Sequence, residues 1–211
     1  MTNTAPPTSR RPYSSPAREA QAKATKRAIL KAARSVFSDS GYAVATIEAV
    51  ASAARVSVPT VYAVFGSKPG VLSALVADAG SDLRIRRLAG RAMSEGEPRR
   101  RLAAIAKVVR TIMQEEGSLL KVLREAGTGH PELEAARRQG HLQQREALTG
   151  GLRLLTETSS LRAGITFEEA VATLCQLASP ESYSLLVDEF GWSAARWERW
   201  LSDTAVRLFI D

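Results

Sequence analysis

Hydroxyl and ammonium groups suited to holding phosphate oxygens recur in the segment from Thr46 to Lys68. Thr46 and Ser57 each precede a short apolar run, and a helix that starts there also presents backbone amides to an anion. Tyr62 and Lys68 add a phenol and an ammonium group. Side chains of these types commonly donate hydrogen bonds to a nucleic-acid backbone. The segment therefore predicts a phosphate-binding surface, although Thr46 and Ser57 are equally expected as helix caps that touch no ligand.

The positions of the caps predict a helix-turn-helix. Thr46 begins a helix that runs to about Ala54, and after a turn of about three residues Ser57 begins a second helix that runs to Phe65. A pair with these dimensions places the second helix in a major groove about 12 Å wide, while the first helix crosses above it. Val61 and Phe65 are expected to pack back on the first helix. The opposite face of the second helix then faces the groove.

The net charge of +7 lies entirely in the amino-terminal third of the chain. Residues 1–68 hold ten Lys and Arg and three acidic residues, whereas the remainder holds 19 basic and 19 acidic residues. A localised excess of this kind indicates a polyanionic partner, but it does not separate DNA from RNA or anionic lipid. A basic helix is expected before the helix-turn-helix. We expect one or two of its four basic residues to approach phosphates and the rest to be solvated. These are Lys23, Lys26, Arg27 and Lys31.

Apolar spacing along the chain predicts an all-α fold in three parts. Residues 1–17 are rich in proline and predict a disordered arm, 18–66 an amino-terminal three-helix domain with the helix-turn-helix, and 67–211 a second helical domain. The first helix is expected from Arg18 to Asp39, with Gly41 as its stop. One continuous helix from Ser67 to about Arg87 is expected to join the two domains.

No catalytic constellation is evident. Two histidines, His130 and His141, and the single Cys175 give neither a nucleophile pair nor metal-ligand spacing, and no phosphate-binding glycine motif is present. We therefore expect no enzyme, no cofactor and no metal. No stretch is apolar enough for a membrane span, no leader pattern follows Met1, and one cysteine cannot form an internal disulfide. These features favour a reducing, cytoplasmic compartment.

A family resemblance rests on many spaced positions from the first helix to the start of the fourth. They are Lys26, Ile29, Leu30, Ala32, Ala33, Phe37, Gly41, Tyr42, Thr46, Ile47, Val50, Ala51, Ala54, Arg55, Val56, Ser57, Thr60, Val61, Tyr62, Phe65, Ser67, Lys68 and Leu72. The run resembles the amino-terminal domain of tetracycline-repressor-type (TetR family) transcriptional regulators. The resemblance implies a regulator, most often a repressor, that binds double-stranded DNA at a palindromic operator. It also implies that the remaining helices bind a small-molecule effector and form a homodimer.

Roles on DNA follow from the same resemblance. It places Thr46, Thr60, Tyr62 and Lys68 beside phosphates, and Ser57, Val58, Pro59 and Ala63 beside base edges. The alternative for Tyr62 is a structural role at the rim of the core, with no contact to DNA. The sequence also departs from the family: Arg55 stands where glycine is usual, and Val58 and Pro59 supply no long polar side chain. Sequence readout should therefore depend on thymine methyls, water and DNA shape.

The second domain offers weaker candidates. We expect the effector to contact Met113, Leu120, His141 and Leu174. Aromatic and leucine side chains near the carboxyl end suit a four-helix dimer interface, and the alternative is a core within one chain. These candidates are Leu185, Trp197, Trp200, Leu201 and Leu208.

Two other functions remain open from the sequence. The basic amino-terminal domain suits a helical interaction module that binds an acidic protein, because Val58 and Pro59 carry no base-reading group. Binding to a membrane surface through the helix from Arg18 to Asp39 is disfavoured, because that helix commits Ile29 and Phe37 to a core.

Overall fold

The computed structural model of the chain describes residues 16–79, 82–126 and 130–210. Residues 1–15 of the predicted arm lie outside this part, and its last two residues belong to the first helix. The described part contains ten α-helices, one π-helical turn at Leu185–Glu189 and no strand, as predicted for an all-α chain. The helices are α1 Pro16–Val44, α2 Ile47–Ala54, α3 Val58–Phe65, α4 Lys68–Ala79, α5 Leu83–Ser94, α6 Pro98–Ala126, α7 Pro131–Thr156, α8 Phe167–Leu177, α9 Pro180–Ser184 and α10 Ala194–Phe209.

Side-chain caps set the boundaries of the short helices. The Thr46 hydroxyl accepts a hydrogen bond from the amide of Ala49 at 3.1 Å, and the Ser57 hydroxyl accepts one from the amide of Thr60 at 3.3 Å. Ser67 serves α4 in the same way, since its hydroxyl accepts from the amide of Gly70 at 2.9 Å. The predicted caps Thr46 and Ser57 are confirmed, and Ser67 is a third cap of the same kind.

Helix α1 changes direction at Gly41. This residue has a φ of 72°, which favours glycine, and the chain turns there toward α2. Before the turn, Ile29, Ala33 and Phe37 are fully buried on one face. The predicted stop at Gly41 is thus where the regular helix breaks.

The buried side chains form two separate clusters. The first core contains the buried faces of α1 to α4, and it also includes Leu119, Val122, Leu123 and Ala126 from the end of α6 and Leu133 from the start of α7. The second core is built from α5, the first half of α6, the second half of α7, α8 and α10. Helix α6 therefore belongs to both cores.

Polar contacts join the first helices to α6 and α7 at the edge of the first core. Arg34 of α1 donates to the carboxylate of Glu116 on α6 at 2.6 Å, and the hydroxyls of Ser38 and Ser118 lie 3.3 Å apart. Ser67, at the start of α4, donates to the carboxylate of Glu132 on α7 at 3.1 Å. Only 11% of the Glu116 side chain is exposed, so most of its hydration has been exchanged for the guanidinium.

The expectation of one continuous helix from Ser67 to Arg87 is wrong. Helix α4 ends at Ala79 and α5 begins at Leu83, where the carboxylate of Asp82 accepts a hydrogen bond from the amide of Arg84 at 2.7 Å. Because this cap starts a helix with its own register, Leu83 is 62% exposed instead of continuing the apolar face of α4.

Among the described residues, no single helix is long and apolar enough to cross a membrane. The required length and apolar composition are reached only when two consecutive helices, Val58–Phe65 and Lys68–Ala79, are taken together. These two helices are bent by 63° relative to each other.

Arg55 supplies a test of local strain. It caps α2 with a φ of 56°, a left-handed conformation that costs a residue with a Cβ about 1–2 kcal/mol. Substitution Arg55→Gly relieves this cost but adds backbone entropy to the unfolded chain. We expect the free energy of unfolding in urea to rise by about 0.5–1 kcal/mol. A fall of similar size would contradict this account, and Ser52→Gly, in the interior of α2, is a control expected to destabilise.

Candidate nucleic-acid interface and ligand cavity

Helix α3 presents a continuous exposed stripe on the side away from the first core. Pro59, Tyr62, Ala63 and Gly66 share this side at helical spacing, and Tyr62 is 46% exposed. On the opposite side Val61 is fully buried. Helices α2 and α3 therefore form a helix-turn-helix whose second helix has a free face. The exposed Tyr62 also disagrees with the rim-of-core alternative.

The predicted base-facing residues divide into two groups. Ser57, Pro59 and Ala63 are exposed, whereas Val58 is half-buried and packs against the first core. The hydroxyl of Ser57 lies 2.8 Å from that of Thr60. The surface open to a groove is thus centred on Pro59, Tyr62 and Ala63, and Val58 lies at its edge.

The residues predicted to contact phosphates also differ in their exposure and in their contacts within the chain. Thr46 and Tyr62 are exposed, and Thr60 is half-buried. Lys68 donates a hydrogen bond to the carbonyl of Tyr42, and its Nζ lies 4.3 Å from the centroid of the Tyr42 ring. Burial lowers the pKa of Lys68 below its ordinary value. Lys68 therefore links α4 to the end of α1 in this structure.

Tyr42 connects this lysine to the start of α7. The ring of Tyr42 is buried and meets that of His130 edge to face, with centroids 6.3 Å apart. Burial and the nearby carboxylate of Glu132 raise the pKa of Tyr42. Together with the contact between Arg34 and Glu116, these side chains hold the helix-turn-helix against the second domain. These pairings leave no local signal in the sequence, because the residues that form them belong to distant segments.

A cavity of about 1230 Å³ lies among α5, α6, α7 and α9. Its walls are mostly apolar, with contributions from the end of α4. Three of the four expected effector contacts, Met113, Leu120 and His141, line it. Leu174 does not line it, because this side chain is 1% exposed within the second core.

Polar groups in the cavity wall come mainly from α6 and α7. They include Glu116, Arg137, His141 and Gln144. Tyr183 adds a phenol whose pKa is raised by burial and by the charge of Asp188. Glu116 is the important member, because this lining residue also binds Arg34 of α1 through its carboxylate. In the described part of the chain, no group of His, Cys, Asp and Glu is arranged to hold a metal ion.

Two predicted interface residues are buried in their own chain. Trp197 is fully buried and Leu201 is 1% exposed, both in the second core, where α10 packs mainly on α6. Their side chains have no exposed surface, which favours the alternative of a core within the chain for these two residues. Trp200 is half-buried, and Leu185 and Leu208 are 45% and 41% exposed.

The fold combines a helix-turn-helix that has an exposed recognition face with an all-helical domain that contains a cavity. This is the architecture of a DNA-binding protein with a second domain suited to a small ligand. Residues 29–75 match the family described as bacterial regulatory proteins, tetR family. The amino-terminal segment from α1 to α4 is thus similar to the DNA-binding domain of these transcriptional regulators, in agreement with the resemblance found in the sequence. The match favours DNA binding over a protein-interaction module as the function of the basic domain. No curated protein is significantly similar to the chain in sequence.

Three solved structures extend the likeness to the whole fold. A transcriptional regulator from Saccharomonospora viridis, in complex with choline, is 17% identical with a TM-score of 0.73, over 90% of this chain and 99% of that one. NalD, the secondary repressor of the MexAB-OprM multidrug efflux pump in Pseudomonas aeruginosa, is 21% identical with a TM-score of 0.69, over 90% and 98%. FadR from Bacillus subtilis, in complex with stearoyl-CoA, is 17% identical with a TM-score of 0.70, over 85% and 97%.

Ala63 supplies the sharpest test of groove contact, because it is exposed in the middle of the stripe on α3. Substitution Ala63→Arg introduces a side chain that reads guanine through two hydrogen bonds. We expect a selection on randomised duplexes to shift one position of each half-site toward G·C, by about 1–3 kcal/mol.

The matched control is Ala53→Arg, which adds the same charge at an exposed position of α2. It should raise affinity for all duplexes without changing the selected sequence. If Ala63→Arg selects the same half-site as the unsubstituted chain, the free face of α3 does not lie in the major groove.

Proposed function

We propose that the protein is a cytoplasmic repressor that binds a palindromic operator as a homodimer and leaves it when a small molecule enters the cavity. The observation that carries this proposal is the position of Glu116. Glu116 lines the cavity, and its carboxylate binds Arg34 of the DNA-binding domain at 2.6 Å. A molecule in the cavity therefore acts on a group that positions α1.

On the operator, α3 enters the major groove with Pro59, Tyr62 and Ala63 toward the bases. Thr46, at the start of α2, and Thr60 and Tyr62 on α3 supply hydroxyl donors for phosphates. Ser57 and Val58 lie at the edge of the same surface. Lys68 contacts a phosphate only if its ammonium group gives up the hydrogen bond to the Tyr42 carbonyl and donates to a phosphate oxygen of the DNA instead. None of these side chains reads a purine through two hydrogen bonds, so apolar contacts and DNA shape contribute much of the specificity.

The cavity favours an extended, largely apolar effector. Its volume of about 1230 Å³ exceeds the roughly 300–1,000 Å³ of common small-molecule sites. The related structures hold ligands as different as choline and stearoyl-CoA. A quaternary ammonium ion is usually held by several aromatic rings, whereas Tyr183 is the one phenylalanine, tyrosine or tryptophan among the described residues that line this cavity. An acyl chain matches the volume and the apolar walls better than choline does.

Release of DNA follows if the effector binds more tightly to a conformation in which α6 has shifted. Such a ligand changes the equilibrium only by its difference in affinity for the two conformations. Because Glu116 and the end of α6 contact α1, a shift of α6 changes the position of α1 and, through the first core, of α3. In a dimer, this alters the separation of the two recognition helices, which must match the spacing of the half-sites.

The function is tested by selecting bound duplexes from a randomised pool. We expect an inverted repeat with half-site centres about 34 Å apart, and affinity for it at least about 10³-fold above that for a random duplex at the same salt concentration. Stearoyl-CoA should release the operator at lower concentrations than choline does. Equal affinity for selected and random duplexes would contradict the proposal.

Dimerisation is proposed through the exposed sides of the π-helical turn and α10, with Leu185, Trp200 and Leu208 in the interface. Substitution Leu208→Asp places a charge in this apolar contact and should yield a folded monomer, measured by sedimentation. Leu83→Asp is the matched control, because Leu83 is 62% exposed on α5, away from the proposed interface. It should leave the dimer intact. A Leu208→Asp protein that sediments like the unsubstituted chain would place the interface elsewhere.

A further inference from the structure

The first part of α1 extends beyond the core of the DNA-binding domain. From Pro16 to Ala28 every residue is exposed except Thr25, which is half-buried, and Ile29 is the first buried residue. We call residues 16–28 the α1 extension. At 1.5 Å per residue it is about 20 Å long. It makes no contribution to either core.

The composition of the α1 extension explains how it is helical without packing. It contains five alanines, with Arg, Lys, Gln and Glu among the other residues, all of which have high helix propensity. It has no large apolar side chain. A membrane-surface helix needs an apolar face, and protein interfaces depend on buried aromatic or aliphatic anchors. Charge is therefore the property with which this segment can bind a partner.

The charge is positive and concentrated on one face. The α1 extension holds four basic residues and one acidic residue, Glu19. Lys23, Lys26 and Arg27 follow one another at i, i+3 and i+4, so their side chains lie together. Lys26 is also one turn before Ile29 and Leu30, which pack on the rest of the domain. The basic face thus continues the packing face of α1 past the edge of the domain.

The α1 extension points away from the ligand domain. The later part of α1 contacts that domain, since Arg34 and Ser38 reach α6. The helix is regular up to Gly41, so its first residues lie at the opposite end. Helix α3 packs mainly on α2 and α4 and presents its free stripe outward. The α1 extension therefore projects from the same domain that presents the free stripe of α3.

We infer that the α1 extension is a second DNA-contacting element, in which Lys23, Lys26 and Arg27 bind phosphates of the duplex flanking each half-site. This inference rests on the proposed operator binding and adds to it. A length of about 20 Å corresponds to roughly six base pairs of duplex. The protein should therefore protect several base pairs beyond each half-site. Contacts of this kind add affinity without sequence preference.

The test compares two triple variants of the full chain that remove the same charge. Lys23→Gln/Lys26→Gln/Arg27→Gln alters the basic face, and glutamine preserves helix propensity. The control, Arg100→Gln/Lys107→Gln/Arg153→Gln, alters three exposed residues of α6 and α7, away from the proposed dimer interface. Affinity is measured over a range of NaCl concentrations for the selected inverted repeat, once with long flanks and once trimmed to the outer ends of the half-sites.

We expect the unsubstituted dimer to lose about tenfold or more in affinity when the flanks are trimmed, while the variant of the basic face loses almost none. The slope of log K against log salt should fall by about 2 to 5 in that variant, since each phosphate contact contributes about 0.9. The control should keep both the slope and the flank dependence.

Equal slopes and equal flank dependence in the basic-face variant and the unsubstituted chain would overturn this inference, with operator binding itself intact. Loss of all discrimination between the repeat and a random duplex in the unsubstituted chain would instead overturn the proposed function. If the basic-face variant loses binding to vesicles of phosphatidylcholine and phosphatidylserine but keeps normal DNA binding, the surface belongs to a membrane, and the inference is again overturned.

Discussion

The end of helix α6 completes the core of the DNA-binding domain. Leu119, Val122, Leu123 and Ala126 are buried among the side chains of α1 to α4, and each is no more than 7% exposed. Close-packed side chains transmit displacement because they leave little free volume into which a neighbour can move. The helix-turn-helix is therefore not an independent unit attached by a linker. Its packing depends on where α6 lies.

The same helix forms a wall of the cavity and part of the second core. Its 29 residues run without a break from Pro98 to Ala126, so its two halves move together more readily than two helices joined by a loop. Glu116 lies near the point where the cores meet. Its carboxylate is nearly removed from water and is balanced by Arg34, so separating the two is costly unless another group replaces the guanidinium. In the proposed function, this side chain is the link between an occupant of the cavity and α1.

Local sequence signals predicted the caps, the helix-turn-helix and the family, because these depend on residues a few positions apart. Thr46, Ser57 and Gly41 are examples whose structural roles follow from residue type and spacing. Apolar stripes predicted burial equally well, but they did not predict which surface covers them. Trp197 and Leu201 were expected at a dimer interface and pack in their own chain, and Leu174 lies in the second core instead of the cavity.

Long-range pairings account for most of what the sequence could not predict. Arg34 and Glu116 are 82 positions apart, and either residue alone looks like an ordinary surface charge. The orientation of Lys68 toward Tyr42 likewise depends on how α1 and α4 pack. The break between α4 and α5 is a different case, because Asp82 is a recognisable cap within a region whose apolar spacing favoured one long helix.

The dependence of the DNA-binding domain on α6 can be measured by hydrogen exchange in two matched variants. Val122→Ala opens a small cavity in the first core, and Val109→Ala does so in the second, on the same helix and at nearly the same burial of 5% and 6% exposed. We expect Val122→Ala to accelerate exchange of the amides of α1 to α3, and Val109→Ala to accelerate exchange in α10 while sparing α1 to α3. If Val122→Ala leaves exchange in α1 to α3 unchanged, the DNA-binding domain holds its structure without α6, and the proposed coupling to the cavity is contradicted.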